Sequence, residues 1–242
     1  MRDYDLVISL GGNCATAANL QRRKLRPFSL PFDWVYFVDE VAIVNLASGI
    51  KDHFSQMMQK ENLVEVLPGH PEYAGLHPGY IRYIDKGSGY RFANHFRERI
   101  SCEGEYDRAY CLWRKRVERL FRVLASKQRF LLVLATTVPI RECVARALQM
   151  SFREAFPGKV FDLELLLFCC DEDTICDLRD GLVVHRSKRD FNDYDYHQTN
   201  YEWHFLDDVR VSIKPKRNRC SFHLLPHLRV EFSWNRTQRG VM

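Results

Sequence analysis

Cys14 is the residue whose type and position point most directly to chemistry. It follows a short apolar run, Asp5 to Leu10, that ends at Gly11 and Gly12, and it opens a segment with helical spacing. A thiol at the start of a helix lies near the positive end of the helix dipole, which favours the nucleophilic thiolate. Glycines permit a tight turn and leave backbone N–H groups that could face a developing oxyanion. The alternative, which spacing alone leaves open, is a small thiol that only packs the helix on a sheet.

A cysteine nucleophile needs a general base within hydrogen-bond reach, and the base usually comes from a distant part of the chain. His95, in the aromatic stretch Phe92 to Phe96, is the best candidate. The alternative is a strand histidine that donates to a carbonyl or to the adjacent Asn94. His77, His185 and His204 are weaker competitors, because their surroundings are less defined by the sequence.

Asp33 is the candidate for a third catalytic residue that orients the imidazole. It lies in the apolar stretch Pro31 to Trp34, where an unpaired carboxylate would be costly. It therefore pairs either with His95 or with an arginine such as Arg26, and we favour the arginine slightly. The predicted oxyanion and binding groups are Gly11, Gly12, Asn13, Asn94 and Arg26, with Asn13 also a predicted helix N-cap.

The elements that position these residues alternate between strand and helix. Apolar runs predict buried strands at 5–10, 129–136, 161–169 and 182–185, and periodic stretches predict helices at 14–25, 39–50, 107–127 and 139–156. Residues 80–96 predict a β-hairpin. The pattern indicates an α/β fold with a mostly parallel sheet flanked by helices and an antiparallel hairpin insertion. We expect a single domain over 1–242, with its motif region at about 5–170 and an extension, 171–242, packed on it.

Composition restricts the class of protein further. The 46% hydrophobic and 28% charged residues are ordinary for a globular chain. The net charge of +5 is modest: it permits contact with an anionic surface but does not demand it, and we do not expect nucleic acid as a partner. The arginines of the 107–127 helix are expected to form a solvated face (Arg114, Arg116, Arg119, Arg122). The 8 cysteines contain no C-x-x-C pair, which argues against a zinc site, and we expect no metal or cofactor. Without a signal peptide or a membrane-length apolar run, we expect a cytoplasmic protein with reduced thiols and no membrane span.

The segment ISLGGNCATAANLQRRKLRPFSLPFDWVYF resembles the opening of a bacterial and viral family of papain-like cysteine peptidases, a group of unknown function. The shared pattern is S-L-G-x-x-C, a helix, then R-x-x-S-x-P-F-D-W, carried here by Ser9 to Gly11, Cys14, Arg26, Ser29 and Pro31 to Trp34. The resemblance extends over approximately residues 5–170 and implies a hydrolase in which Cys14 attacks a carbonyl group and His95 transfers the proton.

Three functions remain open from the sequence. The first is a cysteine-nucleophile hydrolase, either a papain-like peptidase or a related acyl-transfer enzyme, whose substrate is an unidentified peptide or acyl group. The second is a non-catalytic ligand-binding α/β module in which Cys14 only packs. The third is a transferase for sugar or nucleotide substrates, suggested by the arginine clusters. A parallel sheet that begins at Asp5 is not the usual papain architecture and resembles esterases whose serine follows the first strand, so it weakens "protease" more than "thiol nucleophile".

Overall fold

The fold is described from a computed structural model, which covers residues 1–67, 79–189 and 201–212. The strands are β1 Arg2–Tyr4, β2 Leu6–Ser9, β3 Val35–Phe37, β4 Leu63–Glu65, β5 Ile81–Asp85, β6 Tyr90–Phe96, β7 Arg129–Thr136, β8 Val160–Leu167, β9 Thr174–Asp177, β10 Leu182–Arg186 and β11 Val209–Val211. The α-helices are α1 Cys14–Arg22, α2 Val41–Gly49, α3 Glu105–Ser126 and α4 Glu142–Ala155, and there are 3-10 helices at Lys60–Asn62 and Tyr201–Leu206.

A five-stranded sheet forms the centre, with strand order β2-β7-β8-β10-β9. All neighbouring pairs are parallel except β9 with β10, which is antiparallel at the edge. Strands β2 and β7 are apolar on both faces because both faces are covered. Side chains of α2, α3 and α4 pack on one face, and those of α1 and of residues 203–209 pack on the other. The predicted α/β class with a mostly parallel sheet is confirmed.

A second, antiparallel sheet has the order β3-β6-β5-β4 and contains the predicted hairpin as β5 and β6. The pairing of these strands shifts between Ile81–Phe96 and Tyr83–Phe92, so β6 carries a bulge that includes His95. Strand β3 lies in a segment for which the sequence predicted neither strand nor helix. It joins the two sheets, because Tyr36 forms a parallel bridge with Gly12 at the end of the first buried strand.

Helix α3 buries an apolar stripe, but its arginines do not form a purely solvated face. Arg119 Nη1 donates to the Ser29 carbonyl oxygen at 2.8 Å, and Arg114 Nη1 donates to the His53 carbonyl oxygen at 3.1 Å. Arg116 is half-buried, and only Arg122 is exposed as predicted. The expectation is wrong for the first three because loops from other parts of the chain cover this side of the helix.

The start of the last long helix also differs from the prediction. Helix α4 begins at Glu142 with Arg141 as N-cap, so Pro139 precedes the helix and does not occupy its first turn. At the end of the described chain, β11 pairs in parallel with β1, and Trp203 is fully buried. In the described ranges no helix is long and apolar enough to cross a membrane. His77 and Cys220 lie outside the described residues.

Candidate active site

Cys14 is the first residue of α1, and its side chain is half-buried. Asn13 is the N-cap, as predicted: its Oδ1 accepts hydrogen bonds from the backbone N–H groups of Ala15 at 3.1 Å and Thr16 at 3.4 Å. This cap fixes the first turn of the helix, where unpaired N–H groups and the helix dipole favour negative charge. The thiol therefore lies at a rigid helix start and is partly accessible to solvent.

Both glycines before it are required by geometry. Gly11 has φ +84° and Gly12 has φ +87°, a backbone region that side chains rarely adopt. A Cβ on Gly12 would lie 2.2 Å from the Ala135 carbonyl oxygen, and one on Gly11 would lie 2.7 Å from that of Phe32. The loop is thus pressed against the end of β7, which places Cys14 at the carboxyl edge of the parallel sheet. The steric demand explains the glycines by itself, and their predicted oxyanion role stays a prediction.

Asp33 is fully buried and paired with Arg26. Its Oδ2 accepts from Arg26 Nε at 2.7 Å and from the Leu30 backbone N–H at 2.8 Å. Arg26 also donates to Ser29 Oγ at 2.8 Å, so the polar residues of the R-x-x-S-x-P-F-D segment hold each other in place. Burial raises the pKa of the Asp33 carboxyl, and the charge of Arg26 opposes that shift. The arginine pairing that we favoured is present.

His95 is buried on β6, with its ring edge-on to Phe92 at 5.1 Å between centroids. Neither ring nitrogen hydrogen-bonds to a described residue. Within the described residues, the ring therefore lacks the hydrogen bond to a carbonyl or to Asn94 that a purely structural role would use. Burial, together with the positive charges of Arg116 and Arg108, lowers the pKa of His95 to about 3. The imidazole is therefore neutral near pH 7, because burial disfavours its protonated form.

Strand pairing relates the thiol loop to His95. Gly12 bridges to Tyr36 on β3, and Tyr36 faces Arg91 on β6, whose guanidinium lies 4.7 Å from the tyrosine ring centroid. The loop and β6 are therefore two strand spacings apart, roughly 10 Å. His95 follows Arg91 by four residues along β6, but the bulge shortens the distance that these residues span. A contact between the Cys14 thiol and the imidazole stays a prediction.

The remaining predicted residues have separate environments. The Asp33 hydrogen bonds are made to Arg26 and Leu30, so its predicted role in orienting His95 also stays a prediction. The Asn94 side-chain oxygen is buried without a hydrogen-bond partner among the described residues. The competing histidines are occupied elsewhere: His185 Nε2 lies 2.5 Å from Glu164 Oε2, and His204 Nδ1 lies 2.7 Å from Asp207 Oδ2.

The sequence predicted that Arg116 faces solvent, but its charge acts on both candidate groups. It opposes the rise in the pKa of Asp33 and lowers the pKa of His95. Burial lowers the pKa of the Arg116 guanidinium itself. It shares a face of α3 with Arg108, at i and i+8, and Arg108 donates to the His95 carbonyl oxygen at 2.9 Å. Helical spacing relates the two arginines, but nothing in the sequence says that this face is covered.

No group of three His, Cys, Asp or Glu side chains within 1–67, 79–189 and 201–212 could hold a metal ion. No curated protein matches the chain. No solved structure matches it either. Residues 5–147, more than half of the chain, match the family described as "Putative papain-like cysteine peptidase (DUF1796)", and the chain belongs to that family.

Proposed function

We propose that this protein is a cysteine-dependent hydrolase or acyl-transfer enzyme with Cys14 as its nucleophile. The observation that carries the proposal is the position of a half-exposed thiol at the capped start of α1, beside two glycines that no other residue can replace without strain. In open α/β sheets, ligands bind outside the carboxyl ends of the strands, which is where this loop lies. Membership of the peptidase family supports the same chemistry and a peptide as the substrate class.

The proposed reaction begins with attack of the Cys14 sulfur on the carbonyl carbon of the substrate. His95 takes the thiol proton and later gives it to the leaving group, so that a thioester forms as the leaving group departs. Backbone N–H groups near Gly12 and Asn13 stabilise the oxyanion of the tetrahedral intermediate. Water then attacks the thioester in a hydrolase, or an acceptor nucleophile does so in a transferase, and the thiol is regenerated. These steps use side chains and backbone groups alone.

Support for His95 as the base comes from its ring nitrogens, because neither of them bonds to a described residue and both are left for a proton-transfer partner. Asp33 Oδ1 is likewise buried without a hydrogen-bond partner in the described chain, which leaves one carboxylate oxygen to orient the imidazole. Arg26 is proposed to brace Asp33, because its guanidinium holds the other carboxylate oxygen.

We further propose that residues 1–242 form one domain. Residues 201–212 support this, because they add β11 to β1 at the other end of the chain and bury Trp203 against the central sheet. Strand β10 supports it further, because it pairs in parallel with β8 of the motif region.

The test compares thiol labelling with turnover. The full chain is treated with limiting iodoacetamide at several pH values, and mass spectrometry follows labelling of Cys14 and of Cys111, an exposed cysteine in the middle of α3. A panel of fluorogenic peptides and thioesters is assayed with wild type, Cys14→Ser, His95→Gln and the control Cys111→Ser. We expect faster labelling of Cys14 near neutral pH and turnover that is lost in Cys14→Ser but kept in the control.

His95→Gln separates the base from the nucleophile. If His95 is the base, labelling of Cys14 near neutral pH slows in this variant while the chain remains folded. Equal labelling rates for Cys14 and Cys111 would contradict the activated thiol, and a Cys14→Ser protein with full activity would favour the non-catalytic module.

A further inference from the structure

The main chain around His95 is not fixed by the pairing of β5 with β6. The bulge leaves three residues of β6, 93–95, opposite Arg82 alone, so part of this segment lies outside the regular ladder. Bulges of this kind often direct a side chain at an active site. The conformation at His95 therefore depends on contacts that come from outside the sheet.

The first turn of α3 supplies such contacts. Arg108 Nη2 donates to the His95 carbonyl oxygen at 2.9 Å. Glu105 Oε1 accepts from the backbone N–H groups of Arg97 at 2.6 Å and of Glu98 at 3.4 Å. The two side chains thus hold the main chain at His95 and directly after it, where β6 ends.

Glu105 and Arg108, which we call the clamp, also hold each other. Arg108 Nε donates to Glu105 Oε2 at 2.8 Å, and Arg108 Nη2 donates to Glu105 Oε1 at 2.7 Å. Paired charge-assisted hydrogen bonds of this kind are strong and fix the geometry of both groups. The Glu105 side chain is only 7% exposed, and its place at the start of a helix favours its negative charge. The clamp is therefore a rigid support for the end of β6.

We propose that Glu105 and Arg108 are positioning residues, which hold the β6 bulge so that the His95 ring keeps one orientation in the candidate active site. This inference rests on the proposed role of His95 as the base for Cys14. Neither ring nitrogen bonds to a described residue, so no described hydrogen bond holds the ring itself. Its direction is then set by packing and by the main chain, and the clamp holds that main chain.

The test uses three substitutions in the full chain. Arg108→Gln removes the charge of the clamp. Arg108→Lys keeps the charge but lacks the planar fork that reaches both the Glu105 carboxylate and the His95 carbonyl oxygen, so its effect reports position and not charge. Arg146→Gln is the matched control, because Arg146 on α4 also pairs with a glutamate of its own helix and donates to a main-chain oxygen, that of Leu178. Urea unfolding checks that each variant is folded.

Two measurements follow on each folded variant. Nitrogen-15 NMR of the histidine rings at pH 7, assigned with His95→Gln, reports on the His95 ring without a substrate. We expect its signal to shift or broaden in both Arg108 variants and to stay unchanged in Arg146→Gln. Limiting iodoacetamide then gives the labelling rate of Cys14. Because a positioned base contributes about a hundredfold or more, labelling should slow about tenfold in Arg108→Gln, and no further in Arg108→Gln/His95→Gln than in His95→Gln.

The outcomes separate this inference from the proposed function. An unchanged His95 ring signal in both Arg108 variants would overturn the inference, whatever the labelling rate of Cys14. Further slowing in the double variant would overturn it too, because Arg108 would then act on the thiol by another route. If the ring signal shifts but His95→Gln labels as fast as wild type, the positioning of His95 is supported and its role as the base is contradicted.

Discussion

The burial of His95 predicts a specific loss of stability in mild acid. The pKa of His95 is lowered from 6.5 to about 3 in the folded protein, mainly because burial disfavours the charged imidazole. The unfolded chain takes up the proton first as the pH falls, so it binds more protons than the native state does and the free energy of unfolding decreases. The stability that His95 contributes is complete above pH 6.5 and is lost progressively down to pH 3.

The magnitude follows from 1.36 kcal/mol for each pKa unit. Between pH 7 and pH 5 the free energy of unfolding should fall by about 2 kcal/mol through His95 alone. This window also separates His95 from Glu105, whose pKa is lowered from 4.5 to about 2, chiefly by its hydrogen bond with Arg108. The stability from Glu105 is retained above pH 4.5 and lost only below it.

The assay is urea unfolding of wild type and His95→Gln, each at pH 7 and pH 5. Wild type should lose about 2 kcal/mol more than the variant over this interval, because the glutamine has no proton to gain. Equal losses in the two proteins would refute the reasoning. So would a wild type whose stability does not change, since either result means that the imidazole is not held neutral by burial.

Three further substitutions test the packing around the site, each by chemical unfolding. Gly12→Ala should lower the free energy of unfolding by about 2 kcal/mol or more, and Gly104→Ala by about 1 kcal/mol. Both glycines have positive φ, but only a Cβ on Gly12 would also clash with the backbone. Equal costs would mean that the loop is not pressed against β7. Asp33→Asn should cost about 3 kcal/mol, because it leaves the largely covered charge of Arg26 without its carboxylate partner. Glu40→Gln, in a more exposed pair, should cost under about 1 kcal/mol. Similar small losses would argue against a buried ion pair. Trp203→Ala should cost about 3 kcal/mol or more if the extension belongs to the same domain, and a negligible loss would indicate an independent segment.

The central sheet was predictable because its strands are continuous apolar runs. Residues 129–136 are β7 with the predicted bounds, and Asn13 is the predicted N-cap of α1. Short strands were not predictable in the same way. The three residues of β3 lie in an aromatic stretch with no alternation, and they become a strand only because β6 and Gly12 pair with them.

The candidate site was only partly predictable. Cys14 and its glycines carry a local signal, since a turn into a helix has its own sequence requirements. The environment of His95 has no such local signal, because the low pKa of the imidazole depends on burial and on the charge of Arg116. Arg116 lies on the charged side of an amphipathic helix, and that side ordinarily faces solvent. Three-dimensional packing covers this face of α3, and hydrophobic periodicity does not report it.

The most direct test of the central claim is covalent trapping at Cys14. The full chain is incubated with a thioester or peptide substrate, quenched in acid, and digested for mass spectrometry. Our account predicts an acyl group on the Cys14 sulfur in wild type, with its yield reduced in His95→Gln and unchanged in Cys111→Ser. A substrate that is turned over by the wild type and equally well by Cys14→Ser, with no acyl group on the Cys14 sulfur, would contradict it.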